Sequence, residues 1–467
     1  MRWREALHPV VMQRVALLVP VDAVRDLLVN VADEGTVALD DNPGDRDAPR
    51  SPTPAGARLQ RLDASEASPA LAAVPDLERW EQAGRLDLIA GEAQLEQRSA
   101  RALTRGAVAA WLGWAPGDQV ARLAARVAGV GGAVVPIPRP PGVQPPTLLP
   151  QTGASRQFAP LVQTYATVPY ADLDPSLLAG LAYVTMFGMM FADVGHGALL
   201  VLAALAARLR WSRLARLRPF GVFLAGAGIA SMAFGALYGE RFGPTHVIPV
   251  VWLAPLDRPV DLLVAAVAIG GLLLAGAYAV GSVNRFREGG WRLAAYASSG
   301  LAGAALFLGL SVAGGGAYVH IGLLVILGAV VAVLGLAASF VGLLAAAGGG
   351  ATGALQAGVE LFNLVVRLGS NLVSFARLAA FGLTHAALCA VVWEATTGLW
   401  HAGALGAVGG AAIFLVGNAL AFALEGLVAA VQALRLEYFE LFSRVFDGEG
   451  TTFQPWHVPL ATTEEPC

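Results

Sequence analysis

Long apolar segments fill the sequence from about residue 170 onward, and they constrain the fold more than any other feature. Their lengths match or approach the ~30 Å hydrocarbon core of a bilayer, and few charges interrupt them. In chain order they are residues 177–191, 195–209, 220–238, 260–280, 293–310, 320–347, 358–399 and 403–443. The first two are short and could form one broken helix. The pattern predicts an α-helical polytopic membrane domain of about eight transmembrane helices, at residues 176–446.

The composition agrees with a membrane protein and excludes several other classes. Only 14% of the residues are charged, whereas ordinary soluble domains carry about a quarter. A net charge of -3 gives no electrostatic reason to expect a nucleic-acid partner. All 31 basic residues are Arg, which removes the lysine of Schiff-base chemistry and of Walker-type phosphate loops. We therefore expect no nucleotide site and no cofactor.

Cysteine and histidine usage gives no sign of a metal site. The two cysteines, Cys389 and Cys467, cannot form a metal cluster or a disulfide framework by themselves. Cys389 is expected to be a small packing residue. The histidines at predicted segment ends or in loops are isolated, with no partner at metal-ligand spacing; they are His8, His246, His320, His401 and His457.

Residues 1–150 have a different composition and predict a small α/β domain. Strands are expected at 14–20, 108–115 and 132–137, helices at 21–33 and 117–130, and a mobile loop at 38–54. Residues 76–105 suit a short helical hairpin or a plain surface helix equally well. The proline-rich sequence PIPRPPGVQPP begins at the end of the last strand, residues 151–175 are expected to form a linker, and residues 447–467 a cytoplasmic C-terminal tail.

Arginine placement orients the membrane segments. One loop carries Arg208, Arg210, Arg213, Arg216 and Arg218, and another carries Arg285, Arg287 and Arg292. Because positive charge accumulates in cytoplasmic loops, both loops should be cytoplasmic. An even number of spans then leaves both termini in the cytoplasm, and the first residues lack the features of a cleaved signal peptide.

The last two apolar segments are longer than a bilayer requires. At ~1.5 Å per residue each reaches ~60 Å, about twice the hydrocarbon thickness. Both helices must therefore tilt steeply or project into the cytoplasm. Two consecutive overlong helices suggest an unusual task, such as lying along the curved surface of another membrane object.

Arg377 lies near the middle of the seventh segment. An arginine inside a membrane costs several kcal/mol at least and is by default a functional-site hypothesis. Ser370 and Thr384, each seven residues away, share its helix face, with Ser374 one turn before it and His385 two turns after it. This face is a polar stripe.

The eighth segment carries a second polar stripe. Asn418, Glu425 and Gln432 recur every seven residues, and Arg435 follows one turn later. Two polar stripes on adjacent helices can line a hydrated path. The alternative is a buried ion pair, from Arg377 or Arg435 to Glu425, that only locks the helices together.

A third polar group interrupts the first two apolar segments. Asp193 and His196 flank a glycine in the sequence FGMMFADVGHGALL. A membrane-facing Asp with a nearby His could accept and release protons. Glycines 195 and 197 equally suit a simple turn at the interface.

Four sequence blocks resemble the membrane subunit of V-type and archaeal or bacterial V/A-type rotary ATPases, called subunit a or subunit I. They are FGMMFADVGHGALL at 187–200, SFARLAAFGLTHAAL at 374–388, LEGLVAAVQALRLEYFELFSRVF at 424–446 and GEGTTFQPW at 448–456. Weaker blocks are FAPLVQTYATVPYADLDPS, ALYGERFG and HPVVMQRVALLVP. Several long blocks in the family's order are more specific than one short motif.

The resemblance implies a set of functional residues. Arg377 would be the essential arginine facing a rotating proteolipid c/K ring, and Arg435 the second arginine near it. Glu425, Gln432 and His385 would line two aqueous half-channels for H⁺ or Na⁺, together with the further polar residues Ser370, Ser374, Thr384, Asn418, Asp193 and His196. The subunit itself would hold no catalytic nucleotide site, cofactor or metal.

The resemblance also implies partners and a location. The N-terminal domain would be a cytoplasmic arm that contacts peripheral-stalk E/G-type subunits and a central-stalk d/C-type subunit, with the rest in the plasma membrane of a prokaryote. The family's arm usually contains a long antiparallel coiled coil, but only residues 1–175 precede the first span here, so the arm must be short.

Two other functions fit the residues alone. A stand-alone secondary transporter could use the stripes of Arg377 and Glu425 as its relay, although the sequence contains no convincing inverted repeat. A purely structural scaffold could use the same charges only to pair helices.

Overall fold

The computed structural model describes residues 8–40, 53–62, 67–149, 155–209, 218, 220–445 and 450–461. The chain forms two compact units, one of Pro9–Leu148 with Gly450–Cys467 and one of Met1–His8 with Leu149–Glu449. Most of the predicted loop at 38–54 lies outside the described residues. So do Arg210, Arg213, Arg216 and Cys467.

The smaller unit is built on an antiparallel sheet. Its strands are β1 (Met12–Pro20), β2 (Ala38–Leu39), β3 (Leu103–Arg105), β4 (Val108–Pro116) and β5 (Ala133–Pro136). They are arranged in the order β2-β4-β1-β5, with β3 also paired to β4. The central pair runs from Met12 opposite Pro116 to Pro20 opposite Val108.

The smaller unit also contains helices. They are α1 (Val24–Glu34), α2 (Pro54–Arg61), α3 (Leu77–Gln82), α4 (Leu86–Ser99) and α5 (Val120–Ala128). Leu27, Leu28 and Val31 share the inner face of α1 and are fully buried with Val15 and Leu17 of β1. The predicted α/β domain is therefore confirmed, and residues 76–105 contain the two short helices α3 and α4 before β3.

The C-terminal segment folds into this same unit. The backbone amide of Trp456 donates to Val37 and that of Val458 donates to Ala32, at 2.9 and 3.1 Å. Val458 is fully buried and belongs to the same hydrophobic core as α1 and β1. Residues from the two ends of the sequence thus form one domain.

The larger unit consists of apolar helices. They are α6 (Ser155–Tyr165), α7 (Ser176–Met190), α8 (Val194–Arg208), α9 (Gly221–Tyr238), α10 (Pro259–Tyr296), α11 (Leu301–Tyr318), α12 (Gly322–Ala346), α13 (Gly350–Ser374), α14 (Ala376–Trp400), α15 (Ala404–Leu436) and α16 (Ser443–Val445). Within the described residues six helical stretches are long and apolar enough to cross a membrane, and α7 and α8 are shorter apolar helices. The predicted polytopic helical domain with long C-terminal helices is confirmed.

Helix boundaries differ from the predicted ones at glycines and at breaks. The fourth span continues as α10 to Tyr296, with a kink at Gly289 and Gly290, where Gly290 has a φ of 71°. The seventh span is α13 and α14, which meet at Phe375 within a stretch of 51 residues. The eighth, of 42 residues, passes from α15 through a π-helical turn at Glu437–Phe442 into α16.

Candidate functional site

Arg377 lies in the first turn of α14, just after the break at Phe375. Its Nε donates to the backbone carbonyl of Ser374 at 3.0 Å, and its Nη2 donates to the Glu440 carboxylate at 3.4 Å. Its side chain is 27% exposed, so one side of the guanidinium reaches the outer surface of the helices. The guanidinium is thus hydrogen-bonded on its protein-facing side and exposed on its outer side.

The surface around this guanidinium is otherwise apolar. On α15, Leu424, Val428, Val431 and Arg435 recur at helical spacing and are all exposed. Arg435 is among the charges that act on Arg377. The two arginines therefore belong to a broad apolar face that must be covered by lipid or by another membrane protein.

Glu425 contacts His385 instead of either arginine. Its carboxylate lies against Nδ1 of His385, joining α15 to α14. His385 is 2% exposed. The ion pair that the stripes suggested as an alternative therefore does not form at Glu425, and Arg377 takes Glu440 as its acidic partner.

Asp193 and His196 lie beside this pair. Asp193 caps α8, accepting the backbone amide of His196 at 2.8 Å and that of Gly243 at 3.0 Å. The rings of His196 and His385 are 5.5 Å apart. The sequence suggested either a turn or a polar site at Asp193 and His196, and in the structure these residues form both. We call Asp193, His196, His385, Cys389, Asn418 and Glu425 the His385 cluster.

The loop after α9 completes the His385 cluster. Gly243 has a φ of 93°, and an added Cβ would lie 2.8 Å from the carbonyl oxygen of Cys389. Phe242 packs edge-on against His196 with ring centroids 5.3 Å apart. The weaker sequence block ALYGERFG thus supplies this side of the cluster.

The other predicted site residues are distributed along the same helices. Ser370 and Thr384 are exposed, with the Thr384 hydroxyl donating to the Ala380 carbonyl at 2.9 Å. Asn418 is buried and donates to the Phe414 carbonyl, also at 2.9 Å. Gln432 is half-buried, and its amide oxygen has no hydrogen-bond partner among the described residues.

Sequence reasoning missed a second group of buried polar residues at the π-helical turn. Glu440 and Arg444 are nearly buried, and Glu437 is fully buried with neither carboxylate oxygen hydrogen-bonded within the described chain. Glu437 borders a cavity of about 210 Å³ between α7 and α10. Glu437, Glu440 and Arg444, with Ser374, are called the Glu440 cluster. Their presence in the block LEYFELFSR was a signal, since charged residues in an apolar helix mark functional sites, as π-helical turns often do.

Asn284 connects three segments behind this turn. Its amide oxygen accepts from Leu173 at 3.0 Å, and its amide nitrogen donates to the Val445 carbonyl at 2.8 Å. It is completely buried on α10. Asn284 thereby fixes the end of α16 against the loop that precedes α7.

Comparison with known proteins shows which proteins the chain resembles. A family model described as the V-type ATPase 116kDa subunit family matches residues 111–243. A-type ATP synthase subunit I of Halobacterium salinarum is 29% identical over 69% of this chain and 53% of its own length. That of Thermococcus kodakarensis is 28% identical over 67% of this chain and 47% of its own length.

A vacuolar proton translocating ATPase 100 kDa subunit of Dictyostelium discoideum is 38% identical over 20% of the chain and 12% of its own length. The chain spans about half the length of the first curated relatives it matches. Fold and site together define a multi-pass helical membrane protein with charged residues buried between its C-terminal helices. The chain is similar over residues 111–243 to the V-type ATPase 116kDa subunit family, and over about two thirds of its length to A-type ATP synthase subunit I.

Proposed function

We propose that this chain is the stator membrane subunit of a V-type rotary ATPase or synthase and couples the passage of H⁺ or Na⁺ to rotation of a proteolipid ring. The observation that carries the proposal is Arg377, held by Ser374 and Glu440 and partly open on an apolar surface. A ring of apolar helices carrying carboxylates would cover that surface and meet the arginine.

The chemistry of such a ring requires a fixed positive charge. A carboxylate that travels through lipid must be neutral, by protonation or a bound cation, and it ionises where it meets water. A guanidinium, which does not deprotonate in proteins, stabilises the ionised carboxylate by about 4 kcal/mol at 4 Å and an effective dielectric of 20. Each elementary charge that crosses exchanges about 2.3 kcal/mol per 100 mV with the rotor.

The two buried polar clusters support two half-channels. The Glu440 cluster contacts Arg377 directly, whereas His385 lies two helical turns, about 12 Å, further along α14. A path through each cluster would reach Arg377 from opposite sides of the membrane. The arginine between them would prevent a direct leak, and Gln432 and Arg435 would line the passage on α15.

The proposal also names partners and an orientation. The ring would contact the face of α14 and α15. The smaller unit would be the cytoplasmic arm that binds peripheral-stalk and central-stalk subunits. The membrane domain would lie in the plasma membrane of a prokaryote. Because Pro9–Leu148 and Gly450–Cys467 belong to one unit, both ends of the membrane domain must connect to the same side.

The deciding experiment compares Arg377→Ala with Arg258→Ala, which removes an exposed arginine between α9 and α10. We expect Arg377→Ala to abolish ATP-driven ion uptake into vesicles although the subunit still co-purifies with the proteolipid ring, and Arg258→Ala to retain uptake. Normal coupled uptake in assembled Arg377→Ala complexes would overturn the proposal. Ion or solute transport by the purified chain alone in liposomes would instead support a secondary transporter.

A further inference from the structure

Four side chains in the His385 cluster bring together the donor atoms of a transition-metal site. Asp193, His196, His385 and Cys389 each offer one ligand atom, and these atoms all lie within 4.8 Å of one another. None of the four residues is more than 2% exposed. Metal–ligand bonds of about 2.0–2.3 Å in tetrahedral zinc sites separate the ligand atoms by about 3.3–3.8 Å, so a contraction of about 1 Å would complete the site.

His385 is already oriented as metal-binding histidines are. Glu425 holds its Nδ1, and its Nε2 faces the Cys389 sulfur at 3.8 Å. A carboxylate on one ring nitrogen with the other nitrogen directed at the metal is the usual second-sphere arrangement of zinc histidines. Glu425 would thus fix the tautomer and the ring plane of His385.

His196 supplies a separate observation. It is completely buried, and neither of its ring nitrogens has a hydrogen-bond partner among the described residues. Its polar neighbours include the Asp193 carboxylate, 3.8 Å from Nδ1, and the Asn418 side chain. Leaving a buried polar group without a partner costs about 1–3 kcal/mol, and coordination of a cation would satisfy it.

The donor set selects the class of ion. Imidazole and thiolate ligands suit Zn²⁺ and its analogue Co²⁺, whereas Ca²⁺ and Mg²⁺ require oxygen ligands. Binding displaces the thiol proton of Cys389, and the resulting thiolate and the Asp193 carboxylate neutralise the divalent charge. We propose that Asp193, His196, His385 and Cys389 form a Zn²⁺-binding site. Binding itself does not depend on the proposed function; the consequence that bound zinc obstructs the half-channel at His385 rests on it.

The experiment uses Co²⁺ as an optical probe on the purified full-length chain in detergent. We expect one Co²⁺ per chain, with the absorption bands of four-coordinate cobalt and a thiolate-to-cobalt charge-transfer band, both removed by stoichiometric Zn²⁺. Cys389→Ser should lose the charge-transfer band, whereas Cys467→Ser should keep it. His196→Gln should abolish four-coordinate binding, and His401→Gln, which changes a histidine outside the cluster, should bind as the unaltered chain does.

A variant outside the proposed ligand set covers the case in which a ligand variant fails to fold. Glu425→Gln leaves all four ligands in place but weakens the support of His385, so Co²⁺ affinity should fall about 10- to 100-fold. Absence of the charge-transfer band in the unaltered chain, or its persistence in Cys389→Ser, would overturn the site. This assay needs neither ring nor ATP, so its failure is distinguishable from a failure of the rotary proposal.

Discussion

At the scale of single residues, Arg377 makes two contacts whose geometry depends on a guanidinium. Its Nε bonds to the Ser374 carbonyl and its Nη2 to Glu440, so charge and direction are both fixed. A lysine ammonium is a single point on a flexible stem and does not reproduce this fork. The position therefore requires more than a positive charge.

We expect Glu440→Gln to lower coupled ion transport about tenfold without loss of assembly. The change removes a charge-assisted hydrogen bond, which contributes about 1.5 kcal/mol or more, and lets the guanidinium move. ATP-driven ion uptake by vesicles measures the effect. Glu394→Gln, at an exposed carboxylate on α14, is the matched control and should transport normally. Equal rates for both variants would contradict a positioning role for Glu440.

Asp172, in the loop between α6 and α7, is a buried carboxyl group with a raised pKa. It is completely buried, and burial together with the neighbouring Glu288 raises its pKa from 3.8 to about 7. A carboxyl group with a raised pKa contributes its stability fully below its unfolded pKa and loses it as the pH rises through the folded value. The protein should therefore lose stability between about pH 4 and pH 8.

Asp172→Asn should remove the contribution of Asp172 to this pH dependence. The variant should be more stable than the unaltered protein at pH 8, by up to about 4 kcal/mol, and nearly equal to it at pH 4. Thermal unfolding in detergent across this range measures the difference. Asp257→Asn changes the same charge at an exposed position and should leave the pH dependence unaltered. A constant offset at every pH for Asp172→Asn would disprove the assignment.

At the scale of elements, the sequence pattern predicted the positions of those strands and helices that depend mainly on interactions between neighbouring residues. Apolar periodicity and turn residues located β1, α1, β4 and α5 to within a few residues because these elements bury one face each. The same reasoning could not bring Asp193 to His385, since 192 residues separate them and only the packing of α8, α14 and the Gly243 loop joins them. The π-helical turn was also invisible, because its sequence remains helical in pattern.

The C-terminal segment is a second element that local patterns could not assign. Trp456 and Val458 are too few apolar residues to predict a packed segment, and their partners lie at the other end of the chain. We expect Val458→Asp to destabilise the smaller unit by about 3 kcal/mol or more, because it buries a charge without a partner.

Limited proteolysis of the full chain would measure this effect. Cleavage within Pro9–Leu148 should become faster in Val458→Asp, whereas Thr451→Asp, at an exposed residue of the same segment, should be cleaved like the unaltered chain. Equal protection of the Val458→Asp variant would mean that the segment does not contribute to the stability of this unit.

At the scale of the whole molecule, the membrane topology is limited because segments from near both ends of the chain fold into one unit. One folded domain cannot lie on both sides of a bilayer, so Leu148 and Gly450 must be on the same side and the number of crossings between them must be even. With one crossing for each of the six long apolar stretches, six crossings would be accounted for. A single broken helix made of α7 and α8 would add a seventh, so the pair must enter and return.

Cysteine labelling tests this topology directly. In a Cys467→Ser background, we introduce Asp118→Cys, Thr451→Cys or Val251→Cys, each at an exposed residue, while native Cys389 is buried. A membrane-impermeant maleimide should label the first two only in inverted vesicles, because the arginine-rich segments at 208–218 and 285–292 predict a cytoplasmic smaller unit. It should label Val251→Cys, in the loop between α9 and α10, only in intact cells. Labelling of Asp118→Cys and Thr451→Cys from opposite sides would refute the even number of crossings.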